Sequence, residues 1–140
     1  MKKLITWELC ERKFIRNVEP DMAQVDSLVE KALLRYKRAN NTKADNETIS
    51  FIVEDYYEVI KELLVAYLLT KGMRSQNHQC LIAFLLKEHP EYEHEITLIS
   101  QMSYFRNRLN YYGETVPAKF YHKNKDEFHS VIKLLQTLFP

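Results

Sequence analysis

The run Tyr104-Phe105-Arg106-Asn107-Arg108-Leu109-Asn110-Tyr111-Tyr112-Gly113 is the segment of this chain that reads as more than scaffold. Arg106 and Asn110 stand four residues apart and share a helical face, while Arg106 and Leu109 are neighbours at a spacing of three. The guanidinium therefore sits beside an apolar stripe, where its charge must be paired or aimed at a crevice. Its planar fork is shaped to grip a phosphate or a carboxylate in two places. Asn110 adds a donor and an acceptor, and Tyr111 or Tyr112 adds a phenol. The structural alternative ties Arg106 to a carboxylate of its own chain, with Glu54, Asp55, Glu58 and Glu62 as the candidates. Ion pairs internal to a fold use the same residue types as binding sites.

Other polar residues carry weaker signals. His78 follows Ser75 and Asn77 at the expected start of a helix, so it is either a polar neighbour of a phosphate at that helix end or an ordinary exposed first-turn residue. His89 and His94 flank Pro90 without sharing a helical face, and they lack the Cys or carboxylate companions of a zinc site. His122 and His129 align on the last helix, whose outer face is rich in lysine. Cys10 and Cys80 form neither a disulfide framework nor a zinc pattern; they are expected to be small core residues in a reducing compartment. There is no Gly-rich phosphate loop, Ser-His-Asp order or HExxH pattern, so neither a metal nor a cofactor is expected. The nine tyrosines mostly fall on helical stripes and are expected in core or interface.

The elements that must position these residues are helices. Two glycines and four prolines in 140 residues leave few places for the chain to reverse, so the elements should be long. Helices are expected over residues 3–16, 22–38, 49–71, 77–87, 91–110 and 118–138. Trp7, Cys10 and Phe14 form the inner face of the first. Asp21 is placed to cap the second, whose apolar residues Met22, Val25, Leu28, Val29, Ala32, Leu33 and Tyr36 step by three and one. The third has the strongest stripe and is nearly apolar all round from Leu63 to Leu69, the mark of a helix that is central or covered by a second subunit. Asn46 or Thr48 can cap its start, and Gly72 can stop it. His89-Pro90 closes the fourth; Gly113 and Pro117 close the fifth. No stretch reads as a strand. The expected fold is a single all-α domain over residues 1–140, an antiparallel up-and-down bundle of five to six helices.

Hydrophobic residues at 46% and charged residues at 28% describe a chain that folds rather than a disordered one. The formal net charge of +1 supplies no global pull toward nucleic acid or membrane. The charges are segregated, however. Asp45, Glu47, Glu54, Asp55, Glu58 and Glu62 face a single Lys61 in one segment; Arg106, Arg108, Lys119, Lys123 and Lys125 face a single Glu114 in another. These are either solvated helix faces or two surfaces of opposite sign. The apolar run after Met1 is interrupted at Glu8, unlike a signal peptide, and no stretch reaches membrane-spanning length. A cytoplasmic location is expected.

The order of features resembles the HEPN superfamily (higher eukaryotes and prokaryotes nucleotide-binding domain). The matching residues are Glu54-Asp55-Tyr56-Tyr57 through Lys71-Gly72, then Ser75-Gln76-Asn77-His78, then Arg106-Asn107, and the likeness runs from about Ile49 to the C-terminus. The resemblance implies a divergent prokaryotic member: a HEPN-like homodimer with the Arg-bearing helix ends at its two-fold axis. It implies a nucleotide or RNA ligand held by Arg106, Asn107, Asn110 and His78. It further implies a partner of the minimal nucleotidyltransferase type in a toxin–antitoxin pair. Catalytic members resemble one another in an Arg followed four to six residues later by a His, and they cleave RNA without metal. Here the position five beyond Arg106 is Tyr111, and no His follows before His122. A phenol stays protonated at neutral pH and is a poor base. If the chain is an enzyme it is a metal-independent ribonuclease acting through Arg106 and Tyr111, and the exchange of His for Tyr puts that activity in question. The alternative is a non-catalytic interaction module, antitoxin-like or adaptor, suggested by the missing His and the opposed charge segments.

Overall fold

The computed structural model describes residues 3–140. Among them are six α-helices: α1 (Trp7–Lys13), α2 (Met22–Asn40), α3 (Ile49–Thr70), α4 (His78–Glu88), α5 (Glu93–Tyr112) and α6 (Ala118–Gln136). α3 runs through the middle and packs against α2, α4, α5 and α6. Its apolar circumference is the reason. Leu63, Leu64, Leu68 and Leu69 are all at most 1% exposed, and burying each such side chain contributes about 2 kcal/mol. The all-α bundle expected from the stripes is what forms, and the protomer itself buries most of α3 from Leu63 to Leu69, while Phe51 near its start stays 57% exposed.

The helix ends follow local chemistry. The Asp21 carboxylate accepts from Gln24 N at 3.1 Å and starts α2, while Asn77 Oδ1 accepts from Gln79 N at 3.0 Å and starts α4. Thr48 precedes α3 without a side-chain cap bond. Pro90–Tyr92 forms a single 3₁₀ turn before α5. α5 continues two residues beyond the expected end and stops at Gly113, whose φ of 66° is left-handed. Ser50 Oγ, buried in the first turn of α3, accepts from Val116 N at 2.8 Å. That bond pins the chain leaving α5 to the core and so fixes the end of the helix that carries Arg106.

Two expectations for the N-terminal region need correction. The first helix is half as long as its stripe suggests. Thr6 caps it by accepting from Leu9 N at 3.3 Å, and it ends at Lys13, which leaves Phe14 41% exposed instead of inward. The chain then forms a strand where none was expected: β1 (Arg16–Asn17) pairs antiparallel with β2 (Met73–Arg74). Two residues are too few to show an alternating pattern, so this ladder has no sequence signature. It is extended by Val18 N donating to Gly72 O at 2.9 Å. Gly72 has φ 73°, and a Cβ there would come within 2.9 Å of Val18 O. The glycine that ends α3 therefore also lets the N-terminal segment close onto it.

A third correction concerns the cysteines. Cys10 and Cys80 are both 0% exposed, as core residues should be, but they are not separate thiols. They are bonded to each other, with Cα atoms 5.6 Å apart, and staple α1 to α4 across a sequence separation of 70. The adjacency of α1 and α4 comes from tertiary packing, which spacing along the chain cannot reveal. No helix of the described residues is long and apolar enough to cross a membrane.

Candidate functional site

Arg106 lies on α5 and meets α3. Its Nη2 donates to Glu58 Oε1 at 3.1 Å, and its guanidinium stands 5.9 Å from the centre of the Tyr57 ring. The side chains of Arg106 and Glu58 are only 17% and 15% exposed. Glu58 is the partner drawn from the four acids expected of the structural alternative. The same carboxylate takes Lys61 Nζ at 2.6 Å through its other oxygen. Burial alone would push the Glu58 carboxyl up; Lys61 and Arg106 outweigh it and hold the group below its ordinary value. Arg106 Nε is buried without a hydrogen-bond partner.

His78, the first residue of α4, belongs to the same cluster. Burial depresses its imidazole, and the nearby charges of Lys61 and Arg106 depress it further, with Glu58 opposing. The ring is accordingly neutral at neutral pH. Two permanent cations share one carboxylate here, so the half-buried cluster carries excess positive charge. The Tyr57 hydroxyl is pushed up by burial, while a hydrogen bond with Ser103 and the charge of Arg106 act against this.

Arg106 also reaches outward: its Nη1 donates to Asn107 Oδ1 at 3.2 Å. Asn107 is exposed and lines a cavity of about 310 Å³ between α4, α5 and the N-terminal segment. Tyr104, Tyr111 and Tyr112 stand in its wall, with Ser103 and Gln79 as polar neighbours. These tyrosines are 43%, 73% and 67% exposed, an unusual concentration of open aromatic surface. Arg108, at the same wall, is fixed by Glu114, with Nε donating to Oε2 at 2.9 Å, and its guanidinium lies 4.4 Å from the centre of the Tyr112 ring. The Glu114 carboxylate is lowered by this hydrogen bond. Aromatic faces beside amide and hydroxyl groups suit a flat heterocycle with a polar edge.

The residues singled out in the sequence thus divide. Arg106 and His78 come together around Glu58 and Lys61. Asn107 and Tyr111 line the cavity in front of them. Asn110 is exposed and does not border this cavity. Ser103 and Gln79 were missed, and Tyr104, although inside the singled-out run, was given no role. Ser100, Ser103, Asn107 and Tyr111 step by three and four along α5, a polar helical stripe that could have revealed the α5 wall. The segregated charges of α3 are also explained. Glu62 pairs with Arg35 at 2.8 Å, Asp55 with Arg38 at 3.5 Å, and Glu58 with Arg106, so this acidic stripe is largely used inside the bundle. Among the described residues no three His, Cys, Asp or Glu gather as a metal site. The chain matches no family model, no curated protein and no solved structure.

Proposed function

We propose that this chain is a HEPN-like, homodimeric protein that binds a nucleotide or RNA, with a base lodged in the tyrosine-lined cavity beside the Arg106 motif. The observation that carries this reading is the placement of Asn107 and Tyr111, both from the motif, on one wall with Tyr104 and Tyr112. Stacking of a base on an aromatic ring is worth about 1–3 kcal/mol, enough for the rings to dominate affinity. Arg106 acts through its neighbours: it orients Asn107 and, with Lys61, supplies a positive field behind the cavity. The same reading includes a minimal nucleotidyltransferase as partner in a toxin–antitoxin pair. A cytosolic location belongs to the same reading, and the Cys10–Cys80 bond counts against it, because disulfides form and persist in oxidising compartments.

The test is titration of AMP and a short single-stranded RNA against wild type, Tyr111→Ala and Asn107→Ala. Both variants should bind at least tenfold more weakly while melting close to wild type, because both side chains are exposed. Equal binding by wild type and Tyr111→Ala ends the proposal. Light scattering should give twice the mass of one chain. No cleavage by the wild type, with cleavage by Tyr111→His, would identify a site that has lost its base.

A second reading is favoured by the same exposed tyrosines: a non-catalytic interaction module whose aromatic surface docks a protein. Recovery from the native host in a stoichiometric complex, with no affinity for AMP or RNA, would select it.

A further inference from the structure

A second cavity, of about 400 Å³, opens at the β1–β2 ladder. Lys13, Phe14, Arg16, Arg74, Ser75 and Asn77 line it, and no acidic residue does. None of these residues borders the cavity beside α5. The strand register sets Arg16 directly opposite Arg74. Side chains at such positions leave the same face of the ladder with Cβ atoms about 5 Å apart, and like charges there repel. Among the described residues no carboxylate lies within ion-pair distance of Lys13, Arg16 or Arg74; the arginines that do pair are Arg35, Arg38, Arg106 and Arg108.

The fold nevertheless forces these cations together. The ladder and the Val18–Gly72 bond fix Arg16 against Arg74, and the Cys10–Cys80 bond holds the helix that ends in Lys13 against α4. The start of α4, an eleven-residue helix capped by Asn77, adds its positive end to the same field. An anion from outside would convert this repulsion into attraction. Two guanidinium forks and an ammonium suit a phosphate better than a single carboxylate, since three cations can share its several oxygens. Phe14 presents a 41% exposed ring in the same wall, where a planar group attached to that phosphate would stack.

We propose that this basic cavity is a phosphate site for a nucleotide, free or within a single strand of RNA, with the phosphate among Lys13, Arg16 and Arg74 and the base against Phe14. The choice of a nucleotide rests on Phe14 and not on the cavity beside α5, so the two sites stand or fall separately.

The experiment is calorimetric titration of inorganic phosphate, AMP and a short single-stranded RNA at low salt. The proteins are wild type, Arg16→Gln/Arg74→Gln, Phe14→Ala and Tyr111→Ala. Wild type should bind all three probes. The double variant should lose at least tenfold for phosphate and, for AMP and RNA, at least tenfold in the binding event that Tyr111→Ala leaves intact, and its RNA affinity should fall less steeply with salt, as expected when two phosphate-neutralising charges are removed. Phe14→Ala should weaken AMP and RNA several-fold and leave phosphate unchanged. RNA bound at least tenfold more tightly than AMP assigns the site to a strand; equal affinities assign it to the free nucleotide. Melting curves guard against misfolding: without ligand the double variant should melt at or above wild type, because a repulsion is relieved. Absence of binding of all three probes by wild type overturns the proposal. So does AMP binding that survives Arg16→Gln/Arg74→Gln and disappears in Tyr111→Ala.

Discussion

Two groups of cations in this molecule are built in opposite ways. Around Arg106 the charges are half-buried, share the Glu58 carboxylate and lie between core helices. Around Arg16 and Arg74 they line an open cavity, have no carboxylate partner among the described residues and are held by backbone pairing and a disulfide. The first group contains the motif that stands out in the sequence; the second contains no motif at all. A conspicuous arginine can be committed to its own protomer, while cations that are free to meet a ligand come from segments far apart in the chain.

The largest test of this contrast removes the staple. Replacing Cys10 and Cys80 by serine opens a loop of 70 residues, and the chain-entropy account gives a loss of about 4 kcal/mol. Denaturant unfolding should show that loss. Phosphate affinity at the basic cavity should fall with it, since Lys13 and Phe14 ride on α1. An equal loss at the α5 cavity would dissolve the distinction between the two regions.

Next comes Glu58→Ala, which strands both Lys61 and Arg106 in a half-buried site and should cost about 3 kcal/mol. Arg106→Ala should cost less, about 2 kcal/mol, because Glu58 keeps Lys61. Thermal unfolding that ranks them in reverse would show that Arg106, not the shared carboxylate, organises the cluster.

Acid should then act on the Arg106 cluster in two steps. His78 is depressed by burial and its cationic neighbours, so the unfolded chain takes up its proton first. Its contribution is complete above pH 6.5 and is lost as pH falls from there toward its native value. Glu58 is also lowered, so its contribution disappears as pH falls below 4.5. His94 runs the other way: the Glu127 hydrogen bond raises it, and its contribution is lost as pH rises through that raised value. That exposed pair is common to wild type and His78→Gln and cancels in their difference. Stability measured from pH 7.5 to 5 should therefore fall more steeply in wild type than in His78→Gln, and parallel curves would remove His78 from the cluster.

The smallest effect is Arg16→Gln, which should raise stability by about 0.5 kcal/mol through relief of cross-strand repulsion. A measurable loss would mean that Arg16 already has a stabilising contact within the chain.

Sequence periodicity reached the bundle because long apolar stripes impose their own geometry. The unbroken run from Ile49 to Leu68 was legible for that reason, and the cap at Asp21 was legible from its residue type. The β1–β2 pair was not legible, since two residues carry no period. The bond between Cys10 and Cys80 was not legible either, since it depends on which helices touch. At the site, spacing placed Arg106 beside an apolar stripe, and an acid such as Glu54, Asp55, Glu58 or Glu62 was the expected structural partner. It could not choose Glu58 among them, because the choice depends on the rotation of α3 against α5. Nor could it join Arg16 to Arg74, whose juxtaposition arises only when the segment after α1 folds back past Gly72.

The central claim, that a base lodges among the tyrosines at the end of α5, is tested most directly by photocrosslinking a 4-thiouridine RNA to the wild-type protein and locating the adduct by mass spectrometry. The expected adducts fall on Tyr104, Tyr111 or Tyr112 and are competed away by AMP. Cross-linking confined to other parts of the chain, or none at saturating RNA, would contradict it.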